Sequence, residues 1–133
     1  MTILDLHNQL LKEADVAGRG HYKTEPNFIS EKRNGKSYIV FVPTKPHEVK
    51  ESMNQALLAY QEAIHDPEIN PLLLIPCFIL DFLCIHPFDD GNGRMSRLLT
   101  LLLLYKCGFD IGRYISIEKV INDTKDDYYD ALY

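Results

Sequence analysis

Two leucine-rich runs joined by one short polar stretch constrain this chain more than any other feature. The first, Pro71 to Ile85, spans fifteen residues and carries a single charged side chain, Asp81. Crossing a bilayer takes about twenty apolar residues, so this run is too short for a membrane span. It reads as a helix apolar on nearly all sides, the usual centre of a helical domain. The second run, Met95 to Lys106, stops at Cys107-Gly108, where glycine supplies a left-handed cap and Lys106 complements the negative helix end. Two buried helices flanking a polar turn predict a mainly α domain.

The remaining segments fit around that pair. Ile3, Leu4, Leu6, Leu10 and Leu11 recur at roughly helical spacing up to the Gly18-Arg19-Gly20 break, predicting a short amphipathic helix. The period then changes: Phe28-Ile29 and Tyr38 to Val42 are aromatic and β-branched, with Asn34-Gly35 between them. That pattern predicts a β-hairpin over about residues 27–42 with a type I′ turn. Pro43 and Pro46 close it, and Val49, Met53, Ala56, Leu57 and Tyr60 mark one face of a helix ending near His65 and Asp66-Pro67. Ile115 to Ile121 reads as a connector, and Asp123 to Tyr133 as a last helix. The chain stops inside that helix, so the expectation is an excerpt of a longer protein, truncated at the C-terminal end alone or at both ends.

Composition narrows the function classes. At 133 residues, 46% of them hydrophobic, the chain fits one domain. The net charge of −5 and pI near 5.4 repel nucleic acid and anionic membrane, so neither is expected as a partner and a phosphate ligand needs a local cationic site. Cys77, Cys84 and Cys107 are odd in number, lack C-x-x-C spacing and lie in apolar stretches, which predicts buried free thiols. No segment has the pattern of a secretory signal peptide, so a cytoplasmic location is the expectation, with delivery as a secreted effector compatible with it.

The chemistry concentrates in the twelve residues His86 to Arg97, HPFDDGNGRMSR. Gly91, Asn92 and Gly93 accept backbone conformations closed to most residues where the next helix begins, so their N–H groups and the positive helix end form a nest suited to phosphate. Arg94 and Arg97, three apart on a helix, supply the positive charge that the acidic chain otherwise lacks. Asp90 can hold Mg²⁺, which usually takes one or two protein carboxylates and fills its octahedron with phosphate and water; Asp89 is its adjacent alternative. His86 ends the buried helix beside this nest, where a neutral imidazole can remove a hydroxyl proton. Pro87 fixes the exit from the helix and Phe88 anchors the loop. The competing reading of each residue alone is a capping loop with solvated arginines. Six suitable residue types in so short a stretch favour a phosphoryl-transfer site.

The stretch resembles the Fic signature, H-x-F-x-D/E-G-N-G-R-x-x-R, and fills every specified position. Leu6-His7 to Leu11, Gly20-His21-Tyr22-Lys23, Phe41-Val42-Pro43 and Tyr128 to Leu132 also resemble that family in order. The resemblance implies a Fic-type helical bundle over residues 1–133 with a β-hairpin flap above the active site. It implies a protein adenylyltransferase, in which His86 deprotonates a Ser, Thr or Tyr hydroxyl that attacks the α-phosphate of ATP, leaving AMP on the target. Asp90 would hold Mg²⁺, Gly91, Asn92 and Gly93 the phosphates through the nest, and Arg94 and Arg97 the outer phosphates. Tyr128 and Tyr129 fall where the family places the adenine, with simple packing as the alternative role, and the target would dock on the flap at residues 27–42, whose alternative is an ordinary edge hairpin.

Two features bear on the variant of this chemistry. Relatives that phosphorylate their targets look altered at the position of Gly93, so glycine there favours nucleotidyl transfer. Autoinhibited relatives carry an S/T-x-x-x-E-G/N helix whose glutamate pairs with the second motif arginine. The nearest match here, Thr44 to Glu48, is followed by Val49, which leaves two readings: a constitutively competent domain, or an inhibitory helix or antitoxin partner outside these residues. The alternatives are a silent nucleotide- or partner-binding module of toxin–antitoxin type, and a Fic enzyme using another phosphate-containing donor. Asn34-Gly35-Lys36-Ser37 resembles the end of a P-loop but lacks its first glycine and reads as the hairpin turn. His7, His21, His47 and His65 share no metal-ligand spacing and read as structural or solvent-facing.

Overall fold

The computed structural model describes residues 2–14, 16–110 and 116–132, without the side chains of Tyr129 and Leu132. In chain order the elements are α1 (Ile3–Leu10), β1 (Ile29–Arg33), β2 (Lys36–Phe41), α2 (Pro46–Ala63), α3 (Pro71–Ile85), α4 (Asn92–Lys106), α5 (Ile117–Asp123) and α6 (Lys125–Leu132). The mainly α bundle with one hairpin is therefore the observed fold. Among the described residues no helix is long and apolar enough to cross a membrane.

Each element starts where its sequence permits. Thr2 caps α1 with a reciprocal capping box: its hydroxyl accepts from the Asp5 N–H and the Asp5 carboxylate accepts from the Thr2 N–H. Asn70 caps α3 through the Leu72 N–H, with Pro71 at the first helical position. The α4 end forms a left-handed turn at Gly108, whose φ is 85°. There the Phe109 N–H donates to the Leu104 carbonyl at 2.9 Å.

The core lies along α3, with α2 on one side and α4 on the other. Phe82, Phe88, Met53, Met95 and Ile75 are its largest fully buried apolar side chains apart from Leu11. The hairpin projects from this core. Asn34 and Gly35, at φ 50° and 77°, make the turn, and Arg33 pairs with Lys36. Nearly every hairpin residue is exposed, so its strands offer two open edges.

Three expectations are corrected. α3 is not buried all round: Leu72, Leu73, Cys77 and Leu80 are exposed, because no described element packs on that side. Cys77, on that face, is an exposed free thiol, and Cys84 on α3 and Cys107 at the end of α4 are half-buried rather than buried. The connector expected at 115–121 is instead helix α5, capped by the Ser116 hydroxyl, which accepts from the Lys119 N–H at 3.2 Å. Residues 111–115 lie outside the described residues, as does Tyr133.

Candidate active site

The motif forms the turn between α3 and α4. His86 caps α3 in a left-handed conformation, φ 50° and ψ 61°. That backbone is uncommon for a residue with a Cβ, though His, Asn and Asp adopt it more readily than most. The chain then runs through Pro87 and Phe88, both buried, to Asp89 and Asp90, both exposed, and Gly91 starts α4 at φ 83°.

Phe88 is the pin of the loop. Its ring stacks on the His7 imidazole at 3.7 Å with an interplanar angle of 5°, and it also meets Tyr22 and Phe82. Asn92 closes the turn from within. Its Oδ1 accepts from the Phe88 N–H at 3.0 Å and its Nδ2 donates to the Phe88 carbonyl at 2.7 Å. The Asn92 side chain is thus a brace, and what it offers an anion is its backbone N–H. Helix geometry leaves the N–H groups of Asn92, Gly93 and Arg94 without an intrahelical acceptor, while the Met95 N–H is the first to bond back, to Gly91. Gly91 has no side chain with which to cap them. An added Cβ there would stand 3.1 Å from Leu11 Cδ1 and 3.4 Å from His7 Nε2.

His7, 1% exposed, connects α1 to this loop. The Gly20 N–H donates to its Nδ1 at 2.9 Å, which leaves Nε2 to donate to the Asp90 carbonyl at 2.9 Å. Burial lowers its pKa below the usual value of 6.5, while the Asp90 carbonyl opposes that shift. His7 is structural, as expected, but the sequence contained no signal that it reaches Asp90.

His86 is half-buried. Its Nδ1 lies 3.2 Å from the Leu83 carbonyl, an acceptor only, so Nδ1 carries the proton. Nε2 has no partner among the described residues and is not a buried unpaired atom, so its lone pair reaches solvent. Burial lowers the imidazole pKa; the Leu83 carbonyl opposes that, and the Lys23 ammonium adds to it. The result is a neutral base with a fixed tautomer.

A cleft of about 940 Å³ opens on this base. His86, Gly93 and Arg97 line it from the motif, Tyr128 from α6, and Phe28, Arg33 and Val40 from the hairpin. Asp90 and Arg94 lie outside that lining and bond to each other at 2.9 Å. Gly91 and Asn92 are buried beneath the loop. The Tyr129 side chain, expected near the nucleotide base, lies outside the described residues. Arg97 has an unforeseen neighbour: Glu118 Oε1 on α5 lies 3.6 Å from its Nε, with the Glu118 side chain 75% exposed. Such a solvated pair is weak. Thr44 and Glu48 sit at the start of α2, and no described contact joins them to Arg97.

The donor set suits Mg²⁺ delivered with phosphates. Asp90 is a single exposed carboxylate whose oxygens accept from the Gly91 N–H at 2.6 Å and from Arg94, with further lone pairs facing solvent. No described cluster of three His, Cys, Asp or Glu forms a self-sufficient metal cage.

A histidine base, a helix N-terminus and an arginine thus share one cleft. The chain belongs to the Fic/DOC family, whose profile matches residues 1–104. It is 31% identical to the protein adenylyltransferase Fic of Nematostella vectensis over 110 residues, 80% of this chain and 23% of that protein. It is 27% identical to the protein adenylyltransferase fic-1 of Caenorhabditis elegans, covering 80% of this chain and 19% of that one. The chain thus spans about a quarter or less of these relatives. A Fic family protein from Desulfovibrio desulfuricans superposes with a TM-score of 0.76 at 29% identity, over 98% of this chain and 37% of that one. A Fic domain signaling protein from Bacteroides thetaiotaomicron gives 0.69 at 28% identity, over 80% of this chain and 38% of that one.

Proposed function

We propose that this chain transfers AMP from ATP to a Ser, Thr or Tyr hydroxyl of a target protein. The observation that carries the reading is the free Nε2 of a neutral His86 on the same cleft as Gly93 and Arg97. Nε2 takes the hydroxyl proton as that oxygen bonds to the α-phosphorus, and the bond from the α-phosphorus to the pyrophosphate oxygen breaks. The leaving pyrophosphate carries the bond's electrons, and the α4 N-terminus and arginines offset its charge. Gly93 has no Cβ to hold phosphate away from the backbone N–H groups. Arg97 turns from Glu118 to the outer phosphates, with Arg94 as the second fork. Asp90 would hold Mg²⁺, which neutralises phosphate charge when bound.

The hairpin supports the target-binding half of the reading. Its open strand edges beside His86 can pair with an extended target segment through backbone hydrogen bonds. Tyr128, which lines the same cleft, offers a surface for the adenine. The adenylyl group itself is carried over from the names of the relatives and from the glycine at position 93.

The test is incubation of the chain with Mg²⁺, candidate targets and ATP labelled at the α-phosphate. Label on a target protein, absent with His86→Asn, is the expected result. Transfer of the γ-phosphate instead would assign a phosphotransferase. ATP binding by calorimetry without label on any target would assign a silent module.

A further inference from the structure

The segment from Lys23 to Asn27 bonds to four consecutive carbonyls of the α3–α4 turn. The Lys23 N–H donates to the Pro87 carbonyl at 2.8 Å, and its Nζ to the Ile85 carbonyl at 3.3 Å. Asn27 Nδ2 donates to the His86 carbonyl at 3.3 Å and to the Phe88 carbonyl at 3.0 Å. Lys23 Nζ also donates to Asn27 Oδ1 at 2.6 Å, which orients the amide so that its NH₂ faces the turn. Lys23 is 3% exposed.

A buried ammonium is expensive, and an apolar side chain would fill the same space at less cost. The expense has a counterpart in the turn it touches. His86 holds φ at 50° with a Cβ, a conformation that costs about 1–2 kcal/mol and persists where surrounding structure over-determines it. Of the four carbonyls from Ile85 to Phe88, the motif's own side chains hold only that of Phe88, through Asn92. The bonds to Ile85, His86 and Pro87 come from Lys23 and Asn27, some sixty residues earlier in the chain.

We propose that Lys23 and Asn27 are positioning residues for the His86 base, their four-carbonyl clasp holding the turn that presents Nε2 to the cleft. The inference rests on the adenylyl-transfer reading for its kinetic consequence, but the clasp can be tested without it. Neither residue touches the reacting atoms; they act through the conformation and surroundings of His86. Lys23 also stands near enough to disfavour the imidazolium. Asp89 faces Lys23. The charged groups around the cleft are Glu31, Lys32 and Arg33 from β1, Arg97 from α4, and Lys125, Asp126 and Asp130 from α6.

The experiment compares Lys23→Met, Lys23→Arg and Asn27→Ala with the parent chain in two readouts. In the first, the His86 ring is titrated by NMR without nucleotide. Lys23→Met is expected to move its midpoint to higher pH, and Lys23→Arg, which keeps the charge, to return it towards the parent value. In the second, AMP transfer is measured. Asn27→Ala, at a half-buried site that tolerates truncation, is expected to lower kcat about tenfold or more, with KM for ATP within about twofold, since the base and not the phosphate nest is displaced. An unmoved His86 midpoint in folded Lys23→Met overturns the inference. So does a kcat for Asn27→Ala equal to the parent's, or a loss confined to KM. If Lys23→Met does not fold, Asn27→Ala decides through its kinetics and the His86 ring shifts. A parent chain that transfers no AMP defeats the functional reading alone, and the titration still decides the clasp.

Discussion

Replacing Asn92 with alanine tests whether the motif turn is held from inside. The side chain is 3% exposed and makes two bonds to Phe88, at 3.0 Å to its N–H and 2.7 Å to its carbonyl. Truncation leaves the Phe88 N–H buried without a partner, which costs about 1–3 kcal/mol. The carbonyl keeps its second donor, Asn27 Nδ2 at 3.0 Å, so that half of the loss is about 0.5–1 kcal/mol. The sum is about 1.5–4 kcal/mol, and at roughly 3 °C per kcal/mol for a chain of this size the Tm falls by about 5–12 °C. Urea unfolding followed by circular dichroism gives the free energy directly, with an unchanged slope showing that the native state stays compact. A difference from the parent within about 0.5 kcal/mol would refute the brace. Asn92→Asp sharpens the test: it keeps the acceptor for Phe88 N–H but sets a carboxylate oxygen against the Phe88 carbonyl. Its deficit is therefore expected to shrink on acidification as the carboxyl protonates.

The two glycines of the nest behave oppositely. Gly91→Ala, at φ 83° with its Cβ 3.1 Å from Leu11 Cδ1, is expected to lose about 2 kcal/mol or more in the same unfolding assay. Gly93→Ala meets only Arg97 Nη1 at 3.5 Å, so it folds with stability unchanged or raised by up to about 1 kcal/mol. ATP binding by calorimetry is nonetheless expected to weaken in Gly93→Ala, and equal affinity would remove the nest from the phosphate site. The depressed His7 and His86 pKa values set a pH dependence. Below the ordinary value of 6.5 the unfolded chain binds protons that the folded one does not, so stability is full above 6.5 and falls as pH drops through the folded values. Urea midpoints from pH 8 to 5 check the sign, and the acid limb of kcat/KM is expected below 6.5. Glu118→Ala leaves stability within about 0.5 kcal/mol and tightens ATP binding by up to about fivefold, as expected for an exposed pair; weaker binding would show that Glu118 supports Arg97.

The central helices, the hairpin and its turn were legible because each has a local signal: apolar runs bounded by Pro71 and Gly108, and Asn34-Gly35 between β-branched strands. The motif residues were legible for the same reason, lying within one short stretch. What holds them was not. His7, Lys23 and Asn27 reach the turn across gaps of 59 to 83 residues, and nothing in their own neighbourhoods marks a buried partner. α5 escaped because a seven-residue helix presents barely two turns of periodicity. The exposed face of α3 escaped because leucines on all sides of a helix give no direction to the core. Asn92 was read for its backbone, and its side chain proved to be committed inward.

His86 occupies a backbone niche that selects residues before chemistry does. Asparagine is among the few other side chains that tolerate left-handed φ, yet it cannot take a proton from a hydroxyl. A chain carrying asparagine there would keep the turn, the nest and the cleft while performing no transfer. On the adenylyl-transfer reading proposed above, nucleotide recognition and reactivity are separable at this one position, and a lineage could exchange an enzyme for a nucleotide sensor without rebuilding its scaffold.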